Sequence, residues 1–141
     1  MDAETYLLGI EDLETDIQIE REELAILWER ATSCTAPTDK EPGGSSGVSD
    51  PVGNFGTKLA DRRREIEQRI EDLLNERDRR ISDIKAVSHP KAKIVLYKYY
   101  VEGVQFNEIA ALWKYAPQTI SGYHKIGLAE IQKFIQIRIN P

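Results

Sequence analysis

Residues 107–126 read NEIAALWKYAPQTISGYHKI, and the spacing of their apolar side chains decides the fold of the C-terminal third. Counted from Ile109, the offsets 1, 4, 6, 11 and 14 are those of the apolar side chains Ala110, Trp113, Tyr115, Ile120 and Tyr123. Neither a single amphipathic helix nor an alternating strand has this spacing. It predicts a short helix over residues 106–113, a tight turn, and a second helix that begins at Pro117 and extends to residue 139.

Two helices joined by a turn of three or four residues form a helix-turn-helix, whose second helix presents its outer face to the DNA major groove. Ile120 and Tyr123 are predicted on the inner face of that helix. On the outer face, Gln118 can read an adenine edge and Lys125 a guanine or a phosphate. The full set of predicted DNA-contacting residues is Gln118, Thr119, Ser121, Gly122, His124 and Lys125.

Three positions leave alternatives open. His124 suits a DNA contact and packing between helices equally well. Lys114 occupies a turn position where φ is often positive and glycine is usual, which costs a lysine roughly 1–2 kcal/mol. Ala116 takes the N-cap position where Ser or Thr is usual, and Pro117 compensates in part. A helical hairpin that does not bind DNA is therefore the competing interpretation.

The segment LYKYYVEGVQFNEIAALWKYAPQTISGYHKIGLAEI, residues 96–131, resembles the C-terminal domain of a family of phage and prophage transcriptional regulators. That domain is similar to region 4 of sigma-70 factors. The helix ending in LWERATSCTAP, the Gly/Ser-rich loop and the charged second helix extend the resemblance over nearly the whole chain. The matching positions are Leu96, Tyr100, Glu102, Gly103, Glu108, Ile109, Ala110, Tyr115, Thr119, Ile120, His124 and Leu128.

This resemblance implies a regulator, akin to phage late-gene activators, that binds double-stranded DNA and acts with bacterial RNA polymerase in the host cytoplasm. The chain departs from the family pattern at Tyr99, where the family often has arginine, and at Lys114 and Ala116.

Two long helices are predicted before this segment. Residues 3–32 carry a heptad seam of apolar side chains in which Glu20 fills a skipped position, and residues 57–87 carry a second seam interrupted by Arg63 and Arg77. A lone helix with so thin a seam needs a partner. We therefore expect a long antiparallel coiled-coil hairpin, with a homodimer through the same seams as the competing arrangement.

The segment between the two seams, residues 35–56, contains five Gly and three Pro and is predicted to be flexible and irregular. The predicted organisation is an α-helical coiled-coil hairpin over residues 1–87, including this loop, followed by a helix-turn-helix DNA-binding domain over residues 88–141.

Charge is distributed unevenly. Residues 1–87 carry 12 basic and 21 acidic side chains, a balance of −9, whereas residues 88–141 carry 7 basic and 3 acidic ones, a balance of +4. The two balances add to the net charge of −5. This asymmetry indicates that the C-terminal part faces a polyanion.

Other functional classes lack their signatures. The sequence has neither an apolar run that could span a membrane nor a basic N-terminal leader, and Cys34 is the single cysteine. A cytoplasmic protein without a membrane partner is expected. Because no catalytic constellation, glycine-rich phosphate loop or His/Cys metal spacing occurs, we predict a protein that is not an enzyme and holds no cofactor or metal.

Two further functions compete with the regulator. One is a small terminase-like DNA-packaging subunit, although such subunits usually place the DNA-binding domain before the oligomerising helices. The other is a protein-only inhibitor that mimics a sigma domain and binds RNA polymerase without DNA.

Overall fold

The computed structural model describes residues 1–35 and 51–139. These residues form α-helices and one π-helical segment and contain no β-strand, which confirms the predicted all-α class. The helices are α1 (Ala3–Thr35), α2 (Pro51–Lys85), α3 (Pro90–Leu96), α4 (Phe106–Trp113) and α5 (Pro117–Ile139), and the π-helical segment Tyr97–Val101 follows α3 directly.

Both long helices extend into the segment that was predicted to be irregular, and α1 ends at Thr35. Helix α2 begins at Pro51, so residues 51–56 are helical where an irregular segment was predicted. Proline suits a first helical turn because its φ is already helical. It lacks a backbone N–H, but an N–H in this turn would have no partner within the helix. Residues 36–50, the remainder of the predicted loop, lie outside the described residues.

The chain divides into two compact units, and the first combines residues 1–14 with residues 75–139. The predicted domain boundary after residue 87 lies inside this unit. The start of α1 and the end of α2 share a core with α3 and α5. Leu7, Ile84 and Ile131 are all fully buried in this one cluster. The other buried members of that cluster are Ala3, Tyr6, Ile10, Val87, Ala92, Leu96, Tyr100 and Ile135.

A salt bridge between a buried carboxylate on α2 and a partly exposed arginine on α5 lies within this unit. The Asp83 side chain, 7% exposed, accepts hydrogen bonds from both terminal nitrogens of Arg138, and the Arg138 Nη1–Asp83 Oδ2 distance is 2.7 Å. The hydroxyl of Tyr6 donates to the same carboxylate over 2.6 Å. Helices α1, α2 and α5 therefore meet at one fork-shaped salt bridge.

A glycine sets the closest approach of α3 and α5. A Cβ atom built on Gly127 would lie 2.7 Å from Cδ1 of Leu96, closer than real Cβ atoms come to any neighbour. Leu96 is fully buried and has little space to move away. The two helices can pack at this distance because residue 127 has no side chain.

A smaller cluster lies under α4. Val95, Ile109, Ala110 and Ile120 are buried in it, and Trp113 packs at its edge with part of its surface exposed. The side chains predicted to form the inner faces of α4 and α5 thus meet as expected, with Ala110 giving the small contact residue between them.

The second unit spans residues 15–74 of the sequence, with Ile17 and Ile66 buried between α1 and α2. Glu20, the polar residue in the predicted seam, accepts a hydrogen bond of 2.7 Å from Nε of Arg69. Glu23 lies 3.8 Å from Arg62. Later residues of α1 thus pair with earlier residues of α2, so the two segments run antiparallel in this unit.

Candidate nucleic-acid interface

The turn between α4 and α5 is a closed helix terminus. Lys114 adopts the left-handed conformation, with φ 60° and ψ 41°, as its position in the predicted turn requires. The N–H of Tyr115 donates to the carbonyl of Ala110 over 3.0 Å, and the N–H of Lys114 donates to the carbonyl of Ala111 over 3.4 Å. This pair of bonds is the Schellman arrangement, which satisfies carbonyls left open at the end of a helix.

Most of the predicted DNA-contacting residues lie together on the outside of α5. Gln118, Ser121, Gly122 and Lys125 follow the spacing i, i+3, i+4, i+7 and therefore share one helix face. Gln118 and Lys125 are exposed, and Ser121 and Gly122 are partly exposed. We call these four residues the outer face of α5. Thr119 is exposed in the first turn beside this face.

The opposite side of α5 is held by the core, because Ile120, Gly127 and Ile131 are buried. Gly122 differs from Gly127 in its surroundings, since a Cβ atom at residue 122 would meet nothing within 4 Å. The helix is therefore anchored in the core on one side, and there is free space above Gly122 at the centre of its outer face.

His124 lies away from the outer face and packs among aromatic rings. Its Nε2 forms a hydrogen bond of 2.7 Å with the Tyr100 hydroxyl, and its ring centroid lies 4.9 Å from that of Phe106 and 5.9 Å from that of Tyr99. Of the two interpretations of His124, this geometry matches packing between helices. The other five predicted residues remain candidates for a DNA contact.

Burial lowers the pKa of His124 below its ordinary value of 6.5, and the negative charge of Glu4 offsets part of this effect. An imidazole in this setting is neutral near pH 7. The rings of Tyr99 and Phe106 contribute to this burial.

This burial predicts a loss of stability in mild acid. Below about pH 6.5 the unfolded chain takes up a proton at His124 that the folded ring refuses, so the free energy of unfolding should fall until the lower folded pKa is reached. Urea unfolding followed between pH 7.5 and pH 5.5 measures it. His124→Gln should remove most of the pH dependence, whereas His89→Asn, which keeps a side-chain acceptor at the N-cap of α3, should retain it. An unchanged slope in His124→Gln would contradict the packing role.

A basic side chain that the sequence did not single out lies beside the turn. Lys91, in the first turn of α3, donates a hydrogen bond to the Tyr115 hydroxyl and its Nζ lies 4.7 Å from the centre of the Tyr115 ring. The hydrogen bond to Tyr115 raises the pKa of Lys91, so this amine stays charged. Residues 91 and 115 come together through the packing of α3 on α5, and local sequence patterns carry no signal for that contact.

The remaining chemistry of the described residues is limited. No group of His, Cys, Asp and Glu among residues 1–35 and 51–139 has the arrangement of a metal site. Within the same part of the chain, no helix is both long and apolar enough to cross a membrane. Comparison of the chain with protein-family models, with curated proteins and with solved structures finds no match.

Proposed function

We propose that this protein binds double-stranded DNA through α4, the turn and α5, and that it regulates transcription together with RNA polymerase. The observation that carries the DNA-binding proposal is the outer face of α5. Four small or polar residues occupy one exposed side of a helix whose other side is anchored in the core. A helix of this kind can enter the major groove and present base-reading side chains without unfolding its own support.

Charge supports the same proposal. Lys91, Lys114 and Lys125 surround the turn and the outer face, and each is exposed. Glu102, Glu108 and Glu130 are the acidic residues of the 88–141 segment, against seven basic ones. Positively charged side chains beside a reading helix contact phosphates and fix its position on the duplex.

The regulatory part of the proposal rests on the resemblance of residues 96–131 to the sigma-like domain of phage regulators. In that proposal RNA polymerase is the protein partner, and the acidic N-terminal helix offers a surface for protein contacts. A DNA-packaging subunit would use the same DNA-binding surface but would assemble into a ring, so the mass of the protein in solution, measured by light scattering, separates the two functions.

The proposal is tested first by selecting bound duplexes from a random library and then by measuring affinity for the selected site. Gln118→Ala should relax the preference at one base pair by about 1–3 kcal/mol. Lys125→Ala should weaken binding to all sequences and reduce the salt dependence by about one charge if its partner is a phosphate. Neither change should alter folding, because both side chains are exposed.

Lys58→Ala is the matched control, because it removes the same charge from an exposed position of the second unit. It should leave both the affinity and its salt dependence close to those of the parent. If Gln118→Ala and Lys125→Ala also bind like the parent, α5 does not read DNA. A pull-down of RNA polymerase without DNA then tests the protein-only inhibitor, which would use the basic segment as a docking surface.

A further inference from the structure

Two isoleucines of α1 are exposed in the second unit. Ile19 is 49% exposed and Ile26 is 48% exposed, although both belong to a helix with an apolar seam on its other side, where Ile17 is buried. The two lie seven residues apart, which places them about 10 Å apart on one face. We call this surface the Ile19–Ile26 face.

A groove adjoins the first of these isoleucines. It has a volume of about 320 Å³ and is lined by Asp16, Ile19, Glu20, Arg69, Asp72 and Leu73. Ile19 and Leu73 give it apolar walls, and the Glu20–Arg69 ion pair holds α1 and α2 together at its side. A large apolar side chain from outside the chain fits in such a space.

The charge around this face defines what can cover it. Residues 15–35 carry five acidic side chains, Asp16, Glu20, Glu22, Glu23 and Glu29, against two basic ones, Arg21 and Arg30. Residues 57–74 of α2 carry five side chains of each sign, so the two segments together have a net charge of −3. Exposed Asp16 and Glu22 flank Ile19 on α1, and exposed Asp72 lies across the groove on α2. A second copy of the chain docked through the same face would oppose acid to acid, which is unfavourable. The same net negative charge disfavours nucleic acid and anionic lipid as partners.

We propose that the Ile19–Ile26 face docks a basic amphipathic helix of a partner protein. Apolar side chains of that helix spaced by seven residues cover Ile19 and Ile26, and one of them enters the groove beside Leu73. Its Lys and Arg side chains meet Asp16, Glu22 and Asp72. This is the helix-in-groove mode of recognition, in which apolar anchors supply affinity and the charged rim supplies orientation.

The binding test uses a fluorescent synthetic helix of 21 residues. Leucines at alternating three- and four-residue spacing, which repeats every seven residues, form one face, and lysines form the other face. The full-length parent should bind it saturably with one peptide per chain at physiological salt. A combined Ile19→Ser and Ile26→Ser variant should weaken binding by about tenfold or more. Leu112→Ser is the matched control, since Leu112 is a 66% exposed apolar residue on α4, and it should bind like the parent.

Charge and self-association complete the test. A peptide with glutamate in place of lysine should not bind. The double variant Asp16→Asn, Glu22→Gln should bind the lysine peptide more weakly than the parent does, and the salt dependence of its affinity should be smaller. Equal binding by the parent and the double-serine variant would reduce the interaction to general charge attraction and overturn the proposal. A parent dimer that the double-serine variant converts to a monomer would also overturn it, because the face would then join two copies. DNA affinity should be unchanged in the double-serine variant, which separates this proposal from the DNA-binding one.

Discussion

Replacing Arg138 with methionine is expected to lower the free energy of unfolding of the first unit by about 2 kcal/mol, because a buried carboxylate loses its partly exposed partner. Asp83 is almost fully buried, and Arg138 supplies the two nitrogens that compensate its charge. Methionine keeps a long apolar stem but leaves the carboxylate without its cation, while the Tyr6 hydroxyl remains as a hydrogen-bond donor. Equilibrium unfolding in urea, followed by circular dichroism, measures the loss.

A double substitution shows whether the uncompensated charge is the cause. Arg138→Met combined with Asp83→Asn should recover much of the stability, because the buried anion is gone. Lys98→Met is the control for an ordinary surface pair, since Lys98 lies 3.6 Å from Glu102 at i,i+4 spacing. It should cost about 0.5 kcal/mol or less. If Arg138→Met is no more destabilising than Lys98→Met, the Asp83–Arg138 salt bridge does not hold these three helices together.

The same pair has a defined response to acid. Burial acts to raise the pKa of Asp83, but hydrogen bonds from Arg138 and Tyr6 outweigh it, so the pKa lies below its ordinary value of 3.8. The contribution of the salt bridge to the free energy of unfolding is therefore fully present above the pKa of the unfolded Asp83 carboxyl. It is lost as the pH falls through the lower pKa of the folded state. This acid limit lies below the pH range in which His124 acts, so the two effects can be measured separately.

The helices of the C-terminal segment could be predicted from the sequence because their ends carry strong local signals. Pro117 starts α5, and α4 spans Phe106–Trp113 as the apolar spacing predicts. The positive φ at Lys114 follows from the same spacing, since a turn this short needs a left-handed residue after the first helix. These signals act within a few residues and need no knowledge of the rest of the fold.

The π-helical segment is a local feature for which the sequence contains no signal. Helix α3 is followed directly by the π-helical segment Tyr97–Val101, and no pattern in the sequence distinguishes this segment from a continued α-helix. In that segment the N–H of Glu102 donates to the carbonyl of Tyr97, one residue further back than in an α-helix. Apolar spacing over so short a segment cannot separate the two helix types, because the difference is a single inserted residue.

The structural features that could not be predicted from the sequence depend on contacts between residues far apart in the chain. The pairing of Asp83 with Arg138 joins residues 55 positions apart, and the close approach at Gly127 depends on Leu96 in another helix. The same limit applies to the candidate site. The face containing Gln118 and Lys125 follows from helical periodicity, whereas the packing of His124 and the position of Lys91 depend on neighbours supplied by α3 and the π-helical segment.

Gly122→Glu is expected to weaken DNA binding by about 100-fold, or about 3 kcal/mol, without unfolding the protein. If the outer face of α5 lies in the major groove, residue 122 is at its centre, where a glutamate would bring a negative charge close to the phosphates and fill space that the duplex needs. Folding should not suffer, because a Cβ atom at residue 122 meets nothing within 4 Å and glutamate favours a helix over glycine by up to about 1 kcal/mol. Fluorescence anisotropy on a selected duplex gives the affinity, and thermal unfolding gives the stability.

Gln136→Glu separates position from net charge, because it adds one negative charge to an exposed residue of the same helix, about 21 Å further along. Its affinity for DNA should stay close to that of the parent. Gly122→Ala separates charge from bulk and should stabilise the helix by about 0.5–1 kcal/mol while costing less affinity than glutamate does. If Gly122→Glu and Gln136→Glu weaken binding equally, the loss is a general effect of charge, and α5 does not approach the duplex through its outer face. A fully folded Gly122→Glu that has lost DNA binding, beside a Gln136→Glu that has kept it, would place the duplex against the outer face of α5.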